Sequence, residues 1–240
     1  MRGQFFALAV AAVSVTALSA CDVAFGSTFE DDASLKGKVT SVQLDDIGSG
    51  RVTIRGGASV ASLHRSVKYH GDKPAGPTHR IENGVLKLRG CGSRCSVRYT
   101  LDLPAGLPVS GNTSSGSIDL SRVGAVNVAT SSGSVHLEDV AGPVKARTSN
   151  GRIEGSGLKG GGVDAQTSNG KIALTLATPQ DVRAKTSNGE VTVTVPAGRY
   201  RVTTRTGNGD RKIGVPNDAS APHSLDLTTS NGDITAKQAG

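Results

Sequence analysis

A four-residue motif, Thr-Ser-(Ser/Asn)-Gly, recurs along the second half of the chain and constrains its fold more than any other feature. The copies begin at Thr113, Thr130, Thr148, Thr167, Thr186 and Thr229, and Thr206-Gly-Asn-Gly is a variant. Successive threonines, the variant included, are 17 to 23 residues apart, which gives a period of about 19 residues. A fixed period of this length is the signature of a repeat architecture, in which each unit packs on a copy of itself.

Alignment of the copies on their threonine exposes apolar columns on both sides of the motif. Four residues before the threonine every copy has Val or Leu, and five residues after it every copy but one has Ile or Val. The exception is Arg211. Apolar and polar residues alternate within each segment, which is the period of a β-strand, and Ser-Asn-Gly between the segments indicates a turn. Each unit is therefore predicted to be strand, tight turn, strand and loose loop.

Two all-β architectures fit this unit. We favour a parallel β-solenoid with coils of about 19 residues, stacked in chain order, because near-identical consecutive units are what stacking produces. The alternative is an antiparallel β meander or sandwich, since Asn-Gly is also the strongest short signal for a β-hairpin. In the solenoid, one asparagine column would form a ladder of amide hydrogen bonds. Its members are Asn150, Asn169, Asn188, Asn208 and Asn231.

The distribution of aromatic residues supports a narrow interior. All four Phe lie at or before Phe29, Trp is absent, and Met1 is the only Met, so the rest of the chain has three Tyr as its largest apolar side chains. Val, Ile, Leu, Ala and Thr must then fill the core. This composition argues against a broad α/β enzyme core and against a helical bundle, both of which use Phe, Trp and Met to fill irregular gaps.

The repeats, together with the segment Tyr99-Thr-Leu-Asp-Leu-Pro-Ala-Gly106 that leads into them, resemble the bacterial "putative adhesin" family of β-strand-repeat domains. The resemblance covers residues 38–240. It implies a β-helical body and a location in the cell envelope, and it supplies no catalytic residues.

The beginning of the chain predicts export. Arg2 precedes an apolar stretch from Phe5 to Leu18, which is too short to span a bilayer and suits a signal peptide. The sequence Leu18-Ser19-Ala20-Cys21 resembles the lipobox of bacterial lipoproteins, which implies cleavage after residue 20 and attachment of acyl chains such as palmitate to Cys21. We therefore expect the protein on the outer face of the cell membrane, held by an N-terminal lipid. The alternative is an ordinary secretory signal with an incidental cysteine.

Four segments follow from these patterns. We predict a lipoprotein signal peptide in residues 1–20, an acidic Gly-Ser tether in 21–37, irregular β coils that cap one end in 38–109, and the regular solenoid in 110–240. No cap is evident after the last strand, so the final coil is expected to be an open edge that pairs with another chain or with a second copy. Outside the cytoplasm, Cys91 and Cys95 are expected to form a disulfide rather than a metal site or a redox pair.

Catalytic patterns are weak. We assign seven outward acidic residues to different columns of the alignment, with no acidic pair repeated on adjacent coils, so no carboxylate pair for acid–base chemistry is predicted. They are Asp119, Glu154, Asp164, Glu190, Asp210, Asp226 and Asp233. The five His fit no metal spacing and no G-x-S-x-G sequence is present, so we predict neither an enzyme nor a cofactor.

The charge pattern points to an anionic partner. The formal net charge is +7, and it becomes about +6 when Arg2 is removed with the signal. Five outward cations would form a basic stripe if the coils stack in chain order. They are Lys145, Arg147, Arg183, Lys185 and Arg205. We predict a non-catalytic envelope scaffold that binds an anionic wall polymer, a lipid surface or an envelope protein, and no nucleic acid. The alternatives are a glycan-processing enzyme, an accessory or sensor subunit, or a stripe that serves only solubility.

Overall fold

The computed structural model describes residues 26–240, so the predicted signal peptide and Cys21 lie outside the described residues. The described chain forms one continuous sheet of twenty strands and contains no helix. The strands are β1 (Ser27–Ser34), β2 (Ser41–Asp45), β3 (Ser49–Gly56), β4 (Ser62–Tyr69), β5 (His79–Glu82), β6 (Val85–Arg89), β7 (Cys95–Leu103), β8 (Val109–Ser121), β9 (Val126–Ser132), β10 (Val135–Glu138), β11 (Val144–Asn150), β12 (Ile153–Leu158), β13 (Val163–Asn169), β14 (Ile172–Leu176), β15 (Val182–Lys185), β16 (Val191–Val195), β17 (Tyr200–Asn208), β18 (Arg211–Ile213), β19 (His223–Asn231) and β20 (Ile234–Gln238).

The sheet is wound into a solenoid with two faces. The first strand of each repeat lies on what we call the leading face, and the second strand lies on the trailing face. Along the axis, the leading face runs β5, β6, β2, β8, β9, β11, β13, β15, β19, β17. The trailing face runs β1, β4, β7, β3, β8, β10, β12, β14, β16, β20, β18. Strand β8 is long enough to serve both faces.

The repeats pair in parallel and in register. Val144 lies opposite Val163, and Val163 opposite Val182, so like residues stack on like residues. The parallel β-solenoid is thereby confirmed, and the antiparallel meander is wrong for the repeats. One Asn-Gly does form a hairpin, at Asn83-Gly84 between the antiparallel strands β5 and β6, where both residues have positive φ.

The interior is a thin stack of aliphatic side chains, as the composition predicts. Ile153, Ile172 and Val191 are fully buried on successive coils of the trailing face. Next to this column, every motif threonine except Thr113 donates a hydroxyl hydrogen bond to a glycine carbonyl of the adjacent coil, as Thr167 does to Gly151 at 3.0 Å. The threonine thus satisfies its polar group while the methyl side helps to fill the core.

The motif glycine is required by the close approach of neighbouring coils. A Cβ atom at Gly170 would lie 2.0 Å from the carbonyl oxygen of Gly151, and the other motif glycines are similarly crowded. The asparagine column beside them forms the predicted ladder, with side-chain amide bonds of 2.8–2.9 Å. The ladder runs Asn150, Asn169, Asn188, Asn231, Asn208.

At both ends, the order of the coils departs from the order of the chain. The last coil, β19–β20, is inserted between β15–β16 and β17–β18. The first coil, β2–β3, is inserted between β6–β7 and β8. Stacking in chain order is therefore wrong at the ends, and the final coil is an internal one. The open edge belongs to β17–β18, because its interior position is Arg211, whose guanidinium would be buried unpaired between two apolar coils.

The N-terminal end is covered by antiparallel strands. Strand β4 pairs with β7, and β1 pairs with β4. The tether prediction is therefore wrong for Ser27–Ser34, because these residues form β1. Phe29 packs edge-on against Tyr69, with ring centroids 5.9 Å apart. Asp31 is bound by the buried Arg65. That guanidinium lowers the pKa of the Asp31 carboxyl.

Candidate functional site

The predicted basic residues all lie on the leading face, where they belong to two neighbouring outward columns. In the first column, successive coils carry Lys145, Asp164, Arg183 and Asp226. Cations and carboxylates therefore alternate. Within this column the predicted basic stripe is therefore interrupted by carboxylates, and the alternation avoids stacking like charges directly opposite one another.

In the second column, cations recur on every second coil. The order along the axis is Arg147, Gln166, Lys185, Thr228, Arg205. The exchange of the last two coils places Thr228 between Lys185 and Arg205, which would otherwise be adjacent. Because neighbouring strands are about 4.8 Å apart, the cations of this column repeat at about 9.6 Å.

Most of these cations are available for a ligand. Arg147 forms an ion pair with Asp164 at 3.0 Å, and Gln166 donates a hydrogen bond to the same carboxylate at 2.7 Å. Among residues 26–240, no carboxylate lies within ion-pair distance of Lys145, Arg183, Lys185 or Arg205.

A column of serine hydroxyls accompanies the second cation column. Together they line a shallow groove of about 530 Å³ along the leading face. The serines are Ser114, Ser131, Ser149, Ser168 and Ser187. Hydroxyl donors beside Arg147 and Lys185 suit the oxygens of phosphate, sulfate or carboxylate groups. The serine position directly follows the motif threonine, so the sequence carries this signal, but the basic pattern alone does not identify it.

A second groove, of about 660 Å³, follows the first cation column on the other side of the same face. Pro108 and Pro143 form part of its wall, and Lys145 and Arg183 lie along it. The Oδ1 atom of Asp226, also in this groove, is buried and has no hydrogen-bond partner in the described chain. The leading face thus offers two parallel grooves with cations between them.

The trailing face holds a group that the sequence interpretation missed. Asp119, His136 and Glu154 occupy one outward column on three adjacent coils. The prediction that the seven acidic residues fall in different columns is therefore wrong for Asp119 and Glu154. It is also wrong for Asp164 and Asp226 of the leading face, and for Glu190, Asp233 and Asp210, which each lie four residues after a motif threonine. Together with Glu138, the side chains of Asp119, His136 and Glu154 line a groove of about 590 Å³. Their charges are mostly paired: His136 lies 2.9 Å from Glu154, and Arg51 lies 3.7 Å from Asp119.

The remaining predicted site residues lie elsewhere. Cys91 and Cys95 form a disulfide near the N-terminal end, away from both faces' grooves described above. Within residues 26–240, no three His, Cys, Asp or Glu side chains come together as a metal site would require. The same part of the chain has no helix with the length and hydropathy of a membrane span.

Comparison with known proteins gives one family match. A family profile described as Toastrack DUF4097 matches residues 105–238. No curated protein matches the chain. Among solved structures, a "putative cell adhesion protein" from Clostridium sporogenes has 12% identity and a TM-score of 0.44, and covers 89% of this chain and 100% of its own. A "putative adhesin" from Bacteroides fragilis has 13% identity and a TM-score of 0.46, covering 89% and 97%.

Proposed function

The chain belongs to the Toastrack DUF4097 family, and from this premise we propose that it is a non-catalytic β-solenoid scaffold of the cell envelope whose leading face binds an anionic polymer. Export and a lipid on Cys21 are part of the proposal, and the lipobox-like sequence supports them. A Cys21→Ser variant is expected to lose incorporated palmitate and to leave the membrane fraction. Retention of both by the variant would contradict the anchor.

The observation that carries the binding proposal is the difference in charge pairing between the two faces. On the middle coils of the trailing face, from β10 to β16, the cations beside the strands meet carboxylates within 4 Å, as Lys171 meets Glu190 at 3.0 Å and Arg152 meets Glu154 at 3.7 Å. On the leading face, five cations share two columns with only two carboxylates, Asp164 and Asp226. An excess of unpaired positive charge along one face attracts polyanions.

The spacing favours an extended polymer over a small anion. Cations that recur on every second coil are spread along the solenoid axis, so they can each contact a different acidic group of a chain that lies along that axis. Each exposed contact contributes only about 0.2–1 kcal/mol. Several contacts on one polymer add up through multivalency, so affinity should increase with the length of the polymer.

Binding to inorganic polyphosphate, measured by surface plasmon resonance at several salt concentrations, tests the proposal. The triple variant Arg147→Ala, Lys185→Ala, Arg205→Ala should bind about tenfold more weakly, since three exposed contacts amount to about 0.6–3 kcal/mol. The matched control, Arg51→Ala, Arg152→Ala, Lys171→Ala, removes three charges from the trailing side and should bind like the wild type.

Two results would overturn the proposal. One is the absence of salt-sensitive binding by the wild-type protein. The other is an equal loss in both triple variants, which would mean that net charge alone determines binding. Purified anionic wall polymer and vesicles containing anionic lipid, each measured in the same way, then distinguish a wall ligand from a lipid surface.

The trailing groove supports a second candidate, hydrolysis of envelope glycan. Asp119 and Glu154 are two coils apart, which separates their backbones by about 9.6 Å. Carboxyl groups of inverting glycosidases are about 6.5–9.5 Å apart, with room for a water molecule between them. Release of reducing sugar from purified wall glycan, abolished by Asp119→Asn and by Glu154→Gln, would favour this candidate. Equal product from the wild type and both variants would remove it.

A further inference from the structure

One interior column of the trailing face runs through the whole solenoid and ends in opposite charges. From the N-terminal end, its members are Asp31, Arg65, Tyr99, Val52, Ile118, Val135, Ile153, Ile172, Val191, Ile234 and Arg211. The first lies on the edge strand β1, and the last on the edge strand β18. In the middle of the column the residues are buried and aliphatic.

The C-terminal edge strand is short, exposed and basic. All three residues of β18, Arg211, Lys212 and Ile213, are exposed, and Ile213 is one of two large apolar residues that the described chain leaves exposed. In residues 26–240, no carboxylate lies within ion-pair distance of Arg211 or Lys212. One edge of β18 pairs with β20, and the other pairs with no described strand.

The N-terminal edge strand is acidic. Asp31 and Asp32 of β1 keep 45% and 86% of their side chains exposed, although Arg65 binds the first and His64 the second. The next residue, Ala33, lies in the apolar column that ends at Ile213 on the other edge. Within the described chain, β1 pairs only with β4.

We propose that copies of this chain associate head to tail, with β18 of one copy pairing with β1 of the next. Strand β1 is antiparallel to β4, and β4 is antiparallel to β7, so β1 runs in the same direction as β18. A simple displacement along the axis therefore makes a parallel pair that continues the trailing face. Following the columns, Arg211 meets Asp31, Lys212 meets Asp32, and Ile213 meets Ala33.

The charges select a second copy over other strands. An inward-facing charge on an edge strand normally prevents pairing, because a neutral or basic neighbour would bury it without a partner. Asp31 of another copy supplies that partner at the same position. Arg211 therefore disfavours pairing with other strands and favours pairing with β1 of a second copy. Asp210 would face Glu30, which is a like-charge contact, but both side chains are exposed and solvated.

Such an interface is heterologous, since it joins two different surfaces of the same chain. Repetition along the axis does not close, so the products are linear arrays rather than dimers. The association uses the ends of the solenoid and leaves the grooves of the leading face free, so it goes beyond the polymer-binding proposal and does not depend on it.

Reciprocal charge reversal tests the proposal on the full chain, purified in detergent and studied by sedimentation velocity from micromolar to millimolar concentration. The wild type should form dimers and longer species as the concentration increases. Lys212→Glu and Asp32→Lys should each weaken association at least tenfold, because each places like charges in contact. A mixture of the two variants should associate again, since every contact between one variant and the other joins opposite charges.

The mixing experiment also shows that both variants are folded. A matched control, Lys171→Glu, makes the same change of charge far from both ends and should associate like the wild type. A wild-type protein that stays monomeric at every concentration would overturn the proposal. So would single variants that associate as strongly as the wild type, or a mixture that associates no better than its components.

Discussion

The two ends of the solenoid share the same exchange of coil order and differ in how their outer coils are covered. At each end the chain's own terminal coil is inserted one place inward, so that its neighbour in sequence becomes the outer coil. At the N-terminal end the outer coil is covered by β4, β1 and β5. At the C-terminal end the outer coil, β17–β18, is uncovered except near Tyr200, where the Asn217 side chain accepts a hydrogen bond from the backbone N–H of Val202.

The exchange of coil order at both ends protects the terminal coils against fraying. A terminal coil of a solenoid contacts one neighbour only, and chain ends are the first parts of a domain to fray. Insertion gives the terminal coil a neighbour on each side. The outer coil is then held by covalent connections at both of its ends, which reduces the conformational freedom that fraying would release.

The difference lies in the polar groups that finish each end. Each outer coil contains a fully buried tyrosine, Tyr99 at the capped end and Tyr200 at the open end. Tyr99 belongs to a network with Arg65 and Thr78, and burial raises its pKa to about 12. At the open end, the charged residue on the edge strand is Arg211, and it is exposed to solvent. The capped end should therefore depend on specific contacts far more than the open end does.

The largest expected effect is from Arg65→Met. The change removes the guanidinium that binds Asp31 and one of the two side-chain donors to the Thr78 hydroxyl, the other being Tyr99. Because Asp31 is half-exposed, water replaces part of the ion pair, and the loss of these charge-assisted hydrogen bonds costs about 3 kcal/mol of the free energy of unfolding. Urea denaturation followed by circular dichroism measures it. The control at the open end, Arg211→Met, should stay within about 0.5 kcal/mol. Equal losses at the two ends would show that the cap is not held by this network.

The two tyrosines give a smaller contrast. The Tyr99 hydroxyl donates to the carbonyl oxygen of Arg89 at 2.7 Å and also lies 2.9 Å from that of Thr78, whereas the Tyr200 hydroxyl donates only to Pro196 at 3.0 Å. Tyr99→Phe should cost about 2 kcal/mol and Tyr200→Phe about 1 kcal/mol. The same denaturation measurement compares them. A larger loss for Tyr200→Phe would reverse the ranking of the ends.

The contrast between the ends also marks how far the sequence could predict the fold. The repeat specifies the coil, its two strands, the threonine and asparagine columns and the narrow interior, because each depends on residues that recur at one period. The order of the coils depends instead on whether a coil carries an interior residue that cannot be buried between two apolar coils. Among the seven residues that lie five positions after the motif threonines, Arg211 is the one charge and the others are β-branched, which is the signal that its coil must be outermost.

The candidate site was predictable only in part for the same reason. The five cations are recognisable as outward residues, but whether they form a stripe depends on which coils are adjacent. The Asp119–His136–Glu154 column required only counting six residues from each motif threonine. The antiparallel cap had no repeat to reveal it: β1 is a polar, acidic segment, and its pairing follows from the distant contacts of Phe29 and Asp31.

Position within the asparagine ladder should produce the next smaller effect. Asn188 donates to Asn169 and accepts from Asn231, both at 2.9 Å, whereas Asn208 at the open end makes a single ladder bond of 2.8 Å. Asn188→Ala is therefore expected to cost about 1 kcal/mol, and Asn208→Ala about half of that. Thermal unfolding of the two variants checks the ratio. Equal changes would mean that the ladder contributes no more in the middle than at its end.

The smallest expected effect is a pH dependence confined to the capped end. Burial lowers the pKa of His79, and the charge of Arg65 lowers it further, while Asp31 opposes both. Since the unfolded chain then binds more protons than the folded chain below pH about 6.5, stability should fall as the pH decreases from about 7 to 5. The lowered pKa of Asp31 keeps that carboxylate ionised in this range.

Urea denaturation of the wild type and of His79→Gln at pH 7 and pH 5 isolates the contribution of His79, because the other four His are present in both proteins. The variant should lose less stability than the wild type on acidification. An identical loss in the two proteins would show that protonation of His79 does not loosen the cap, and that the two ends respond alike to acid.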